Sequence, residues 1–169
     1  MGYADGPHKP DLILMKYAAA LLLSLLALVA HAAQPGETLA PWTLLDQYDQ
    51  PYSLGADTRI LLVARDMDGA KLVKAALAEQ PKGYLEARHA VFVADIQRMP
   101  ALISKLFAIP AMRGYSYRVL LDRKGRVASR YAGDEGKVLW LALDHGVVAA
   151  RNSYADADAL KAALDQAGR

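Results

Sequence analysis

Hydrophobic and polar positions divide most of the chain into short elements separated by turn residues. The stretch Leu39–Leu54 places short apolar pairs around the polar segment Asp46–Pro51, a pattern that predicts a hairpin. Two uninterrupted apolar runs follow, at Ile60–Ala64 and Ala90–Ala94, and such runs are typical of parallel strands buried on both faces. Because each run precedes a helical pattern, the chain predicts a right-handed strand, helix, strand, helix unit.

The two helices of this unit have recognisable starts. Apolar residues recur at helical spacing over Gly69–Glu79, and Asp68 stands at the expected N-cap. Pro100 is expected in the first turn of the second helix, which continues to Phe107. A short strand is predicted at Val119–Leu121, whereas periodicity does not decide whether Arg126–Tyr131 forms a strand or a short helix.

The chain is expected to close with a hairpin and a helix. Val138–Leu143 and Val147–Ala150 flank the turn Asp144-His145-Gly146, and Asp156–Gln166 places its apolar residues on one face. The element order predicts an α/β domain with a mixed central sheet, helices on both faces and an N-terminal β-hairpin.

The N-terminal segment has the pattern of an export signal. Ala18–Ala30 is apolar except for Ser24, follows Lys16, and ends in the small-x-small sequence Ala30-His31-Ala32. An uncleaved anchor is the alternative, but the run is short of the roughly 20 apolar residues that span a bilayer. We therefore interpret residues 15–32 as a signal peptide, residues 1–14 as an upstream extension or n-region, and residues 33–169 as one exported, periplasmic domain.

Composition narrows the functional classes. The chain is 54% hydrophobic and 22% charged with a net charge of +2, so it lacks the electrostatic footprint of a nucleic-acid-binding protein. It contains no cysteine, which excludes a disulfide, a thiolate metal site and a cysteine nucleophile. No cofactor is predicted, and no membrane contact is expected after signal cleavage.

Four parts of the chain carry a likeness to a known family: Pro41–Asp46 with Pro51–Leu54, Arg59–Arg65, Val119–Tyr131 and Val138–Arg151. They resemble the exported thioredoxin-like domains of the TlpA/ResA type. The last third, Tyr115–Asp165, looks most like the YtfJ-type periplasmic proteins, which also lack the cysteine pair. The resemblance implies a thioredoxin-like fold and, by itself, no particular activity.

The same resemblance locates the positions where the redox motif has changed. It places the two redox cysteines of the family at Met67 and Ala70, and the cis-proline at Lys137 or Val138. A thioether and a methyl group cannot carry out thiol-disulfide exchange. We also expect a trans peptide bond at the former proline position, because a cis bond before another residue type costs about 2.5–4 kcal/mol.

The expected function is therefore that of a redox-inactive binding or interaction module. In open α/β sheets, ligands bind beyond the carboxyl ends of the strands. The side chains expected at this edge are Arg65, Asp66, Met67, Asp68 and Lys137. The partner would be another exported protein or a small ligand, and the oligomeric state is left open.

An enzymatic alternative comes from the Arg65–Gly69 segment, which resembles the aspartate motif of haloacid-dehalogenase-type phosphohydrolases. Asp66 and Asp68 would supply the nucleophile and the acid/base, and Asp95 would be a third candidate ligand for a divalent cation. No later acidic pair follows a predicted strand. The competing interpretation is structural, with Asp68 capping the helix and Asp66 solvated in the loop.

Overall fold

The computed structural model describes residues 33–168, so the predicted signal peptide and upstream segment lie outside the described residues. A seven-stranded mixed sheet forms the centre, with strand order β2-β1-β5-β4-β3-β6-β7. Strands β3, β4 and β5 are parallel neighbours, and the remaining neighbours are antiparallel. The strands are β1 (Thr43–Asp46), β2 (Pro51–Ser53), β3 (Ile60–Ala64), β4 (Ala90–Asp95), β5 (Leu120–Asp122), β6 (Val138–Asp144) and β7 (Val147–Tyr154).

Helices connect and close the sheet. The α-helices are α1 (Met67–Ala76), α2 (Ala101–Ile103), α3 (Ile109–Met112) and α4 (Ala157–Ala167). A π-helical segment, Ser104–Ala108, joins α2 to α3. Pro110, the second residue of α3, has no N–H to donate to the preceding turn. Short 3-10 helices lie at Glu86–Arg88 and Ala128–Arg130. Within residues 33–168, no helix has both the length and the apolar character needed to cross a membrane.

The alternation along β3 creates two buried layers. Ile60, Leu62 and Ala64 belong to one cluster, which includes residues of α1, α3 and α4, whereas Leu61 and Val63 belong to the other. Within residues 33–168, the second layer is covered by the segment around Trp42 and by the 3-10 helix at residues 128–130 and by no α-helix. Full burial of one leucine, isoleucine or valine side chain in these layers stabilises the folded state by about 1.5–3 kcal/mol.

Most element predictions are confirmed. Both hairpins, the parallel unit and the closing helix form at the expected places, and α4 takes Asp156 as its N-cap. Helix α1 differs, because it begins at Met67, two residues before the predicted start.

The structure also decides the ambiguous segment after β5. The Asp122 side chain is buried, and its carboxylate accepts hydrogen bonds from the backbone N–H groups of Arg126 (3.0 Å), Val127 (2.7 Å) and Ala128 (2.8 Å). These bonds bend the chain back over the end of β5. A 3-10 helix therefore forms where a return strand was the other possibility.

Candidate binding cavity beyond the parallel strands

The loop after β3 is fixed by one carboxylate. Asp66 Oδ1 accepts a hydrogen bond from Gly69 N (2.8 Å), and Oδ2 accepts one from Gly136 N (2.7 Å). Asp66 has extended backbone angles and is the N-cap of α1, so the prediction that Asp68 is the cap is wrong. Asp68 lies inside the first helical turn, where its exposed carboxylate pairs with Lys71 at 2.8 Å.

The surroundings of Asp66 favour its ionised form. Burial by itself raises the pKa of this carboxyl, but N–H groups of Gly69, Gly136 and Asp68, together with the positive charge of Arg98, outweigh that effect and lower the pKa below its usual range. The carboxylate is therefore charged at neutral pH, with one backbone donor on each oxygen. It holds the loop to the turn before β6.

Helix α1 lies unusually close to that turn. A Cβ atom at Gly69 would be 2.6 Å from the carbonyl oxygen of Lys137 and 3.3 Å from Ala64 Cβ. Glycine is therefore required here for the close approach of the backbones. The described residues contain no cis peptide bond, so the bond between Lys137 and Val138 is trans, as predicted.

An open cavity of about 400 Å³ lies beside this loop, and we call it the methionine cavity. Its walls come from α1, from the carboxyl end of β4, and from α2 and α3. Most of its lining residues are apolar: Met67, Ala70, Ala94, Ile96, Met99, Pro100, Ile103 and Met112; the charged ones are Arg65, Asp66, Asp95 and Arg98. This volume is within the range of about 300–1,000 Å³ that is common for small-molecule sites.

The structure brings together some of the side chains predicted for this edge. Arg65, Asp66 and Met67 line the methionine cavity, whereas Asp68 and Lys137 do not. The Lys137 ammonium instead pairs with Asp134 at 2.8 Å. This hydrogen bond, followed by the charge of Lys137, lowers the pKa of the Asp134 carboxyl.

Met67 and Ala70, at the positions that the resemblance gives to redox cysteines, form one wall of the cavity. Met67 is 53% exposed, and Met99 and Met112 line the same space. Thioethers provide a flexible, polarisable surface that adapts to apolar groups of varied shape. The cavity is therefore suited to binding and has no thiolate for exchange chemistry.

Sequence reasoning missed the part of the cavity that follows β4. Arg98, Met99, Ile103 and Met112 were not among the predicted site residues, although the loop after β4 must emerge at the same edge as the loop after β3. Applying that rule to both loops would have found Arg98 and Met99. The placement of Ile103 and Met112 depends on how α2 and α3 pack against the sheet.

The acidic residues of the enzymatic alternative do not form a metal site. Asp66 and Asp95 line the cavity, and Asp68 does not. The Asp95 carboxylate accepts hydrogen bonds from Gln97 N (3.0 Å) and Gln97 Nε2 (2.9 Å). Across residues 33–168, no three His, Cys, Asp or Glu side chains are grouped so that they could hold a metal ion.

Comparison with known proteins gives structural relatives only. No family model matches the chain, and no curated protein matches it. The chain is similar to peroxidoxin BcpB from Mycobacterium tuberculosis, with a TM-score of 0.52 and 21% identity over 82% of this chain and 95% of that one. It is also similar to a putative thiol:disulfide interchange protein DsbE from Chlorobium tepidum, with a TM-score of 0.53 and 16% identity over 80% and 96% of the two chains.

A third similar structure is a putative protein disulfide isomerase from Bacteroides thetaiotaomicron, with a TM-score of 0.54 and 12% identity over 79% of this chain and 87% of that one. Identities this low establish the fold alone. The sequence contains no cysteine. Together, the similar structures and the mixed seven-stranded sheet show that this chain has a thioredoxin-like α/β fold.

Proposed function

We propose that this chain is an exported, redox-inactive thioredoxin-like domain, most similar to the cysteine-free YtfJ-type proteins, that binds a ligand or partner in the methionine cavity. One observation carries the proposal: the cavity is lined by Met67 and Ala70, the residues at the former cysteine positions. Losing the thiols has left an apolar crevice at the carboxyl ends of the parallel strands, where α/β domains bind ligands.

The absence of cysteine removes the chemistry that the similar folds are named for. Thiol-disulfide exchange starts with a thiolate and ends when a second thiol resolves the mixed disulfide. Neither group exists in this sequence. We therefore expect no reduction of insulin disulfides by the purified chain, and turnover without added thiol would contradict the redox-inactive assignment.

The phosphohydrolase alternative finds no support in the site. A nucleophilic carboxylate must have an oxygen free to attack phosphorus. Both oxygens of Asp66 accept backbone N–H groups, and the exposed Asp68 carboxylate pairs with Lys71. The geometry favours binding by the apolar wall over catalysis by this pair.

The methionines provide a direct test of ligand binding. The chain contains five of them, at positions 1, 15, 67, 99 and 112, and the last three line the cavity. We expect 1-decanol, a neutral apolar probe, to shift the carbon-13 methyl signals of Met67, Met99 and Met112 saturably in the full chain. Single Met→Leu variants assign the three signals.

A matched pair of helix α1 variants tests where the probe binds. Ala70 lines the cavity and Ala75 is exposed on the same helix, so Ala70→Leu should fill the site and Ala75→Leu should not. We expect Ala70→Leu to weaken decanol binding and Ala75→Leu to leave it unchanged. If decanol and its charged analogues of equal chain length all leave the cavity methionines unshifted, or if both variants bind decanol like the wild type, the proposed function is wrong.

A further inference from the structure

The methionine cavity has an unused hydrogen-bond donor in its wall. Arg65 lines the cavity, and its Nη1 donates to the Gly133 carbonyl at 3.2 Å. Its Nε is buried and has no acceptor, and it is the single buried side-chain nitrogen or oxygen in this state among the described residues. Buried donors nearly always have a partner, so the hydrogen bonds of this cavity-lining side chain are incomplete in the absence of a further acceptor.

A second cation lines the cavity. Arg98 also lines it, and its contact with Glu135 (3.3 Å) joins two exposed side chains, which is a weak pair. The two carboxylates in the wall are engaged elsewhere, because Asp66 accepts from Gly69 and Gly136 and Asp95 accepts from Gln97. Neither carboxylate is hydrogen-bonded to Arg65 or Arg98, so an incoming anion competes with the charge attraction between Arg98 and Asp66 and with the exposed pair between Arg98 and Glu135.

Positive charge continues beyond Arg98. An adjoining space of about 930 Å³, here called the cationic groove, is lined by Arg98, Lys105, Arg113 and Arg123, with Asp49 as its carboxylate. Ile96, Met99 and Pro100 line both the groove and the methionine cavity, so the two spaces adjoin. Arg113 and Arg123 pair with Asp49 at 3.6 and 3.2 Å, and Arg98 and Lys105 are the other two cations of the groove.

The cavity also opens beside exposed apolar side chains. Ile103 lines the cavity and is 46% exposed, and its neighbours Leu102, Leu106 and Phe107 are exposed large apolar residues of the segment from α2 into the π-helix. An apolar chain entering the cavity would therefore contact apolar surface outside it as well. Apolar walls, an orphaned donor and cations are thus found together at one site.

We propose that the methionine cavity binds a single-chain anionic amphiphile, with the apolar chain against the three methionines and the anionic oxygens at Arg65 and Arg98. This inference rests on the proposed function and specifies its ligand class. A carboxylate or a phosphate monoester would add a charge-assisted hydrogen bond to a guanidinium in the wall, and a shift of the Arg65 side chain would bring its orphaned Nε to the anion. A free fatty acid and a lysolipid-type phosphate share this chemistry.

The test compares probes of equal chain length. Decanol, decanoate and decyl phosphate are titrated into the full chain below their micelle-forming concentrations, with the Met67, Met99 and Met112 methyl signals as the readout. We expect at least one anion to bind about tenfold or more tightly than decanol, which is the gain of a charge-assisted hydrogen bond in an apolar site. The tighter of the two anions identifies the source of the ligand.

Arginine variants test which groups recognise the anion. Arg65→Lys keeps the charge and removes Nε, and Arg98→Gln removes an exposed charge, so each should reduce the ratio of anion affinity to decanol affinity severalfold. Arg123→Gln is the control, because Arg123 carries the same charge and lines only the cationic groove. Since Arg98 is exposed, its variant keeps the test valid even if the Arg65 variant does not fold.

The outcomes separate the two proposals. Decanol binding without any preference for the anions would overturn this inference and leave the proposed function standing. A preference for the anions that survives Arg65→Lys combined with Arg98→Gln would also overturn it. Failure of all three probes to shift the cavity methionines would contradict the proposed function itself.

Discussion

The carboxylate of Asp66 makes two separable contributions to stability. One oxygen caps α1 through Gly69 N at 2.8 Å, and the other holds the turn before β6 through Gly136 N at 2.7 Å. Replacing an N-cap Asp by Ala costs about 0.5–2 kcal/mol. A hydrogen bond to a charged group contributes about 1.5–3 kcal/mol. We expect Asp66→Ala to lower the free energy of unfolding by about 2–4 kcal/mol, allowing for non-additivity.

Asp66→Asn distinguishes the two bonds. An asparagine caps a helix about as well as an aspartate, so the bond to Gly69 should survive. Its NH₂ group cannot accept from Gly136 N, and we expect a loss of about 1–2 kcal/mol. Asp68→Ala is the matched control on the same helical turn; its exposed pair with Lys71 predicts a loss below about 0.5 kcal/mol.

Urea unfolding followed by tryptophan fluorescence measures these differences, because both tryptophans, Trp42 and Trp140, are buried. The pKa of Asp66 is lowered in the folded state, so its stabilising effect is present above the unfolded pKa of about 3.9 and is lost as the pH falls through the folded pKa. The gap between the wild type and Asp66→Asn should therefore be full at neutral pH and narrow below about pH 4.

Two results would refute this reasoning. If Asp68→Ala destabilises the domain as much as Asp66→Ala does, the cap is assigned to the wrong residue. If Asp66→Asn is as stable as the wild type at neutral pH, the bond to Gly136 contributes nothing.

Three further predictions concern residues outside the ligand site. Gly69→Ala should lower the melting temperature, because the new Cβ would lie 2.6 Å from the Lys137 carbonyl oxygen. The cost of this overpacking outweighs the gain in helix propensity of about 1 kcal/mol. A higher melting temperature would contradict the close approach. Asp122→Ala should lower the free energy of unfolding in urea by at least about 3 kcal/mol, because three backbone N–H donors lose their acceptor. A loss below about 1 kcal/mol would show that water replaces the carboxylate as the acceptor. Burial, followed by the hydrogen bond donated to Asp165, raises the pKa of Tyr84 to about 12. The stabilisation from this phenol should be complete below about pH 10 and lost as the pH rises from there through the folded pKa of about 12. The ultraviolet titration of the wild type minus that of Tyr84→Phe should place the ionisation of this phenol near pH 12, and an ionisation near pH 10 would contradict the raised pKa.

The sequence alone determined the order and type of most elements. Buried strands such as Ile60–Ala64 and Ala90–Ala94 and the amphipathic closing helix are visible because the hydrophobic period is a local property of the chain. The loss of redox chemistry was also determined at this level, because it depends only on the absence of cysteine.

Tertiary structure decided which groups meet. Asp66 and Asp68 are equivalent N-cap candidates by residue type. Asp66 is the N-cap in the structure, and Gly136, which is distant in sequence, provides a donor for its second oxygen. Asp122 likewise turned an ambiguous segment into a 3-10 helix through bonds that periodicity does not encode.

The methionine cavity shows the same division. Its edge of the sheet follows from the parallel strands and was predictable, as were Arg65 and Met67 at that edge. Met112 and the unpartnered Arg65 Nε were not predictable, because a cavity and an orphaned donor depend on how segments far apart in the chain pack together. Local pattern fixes the elements, whereas the space left between them exists only after they have packed.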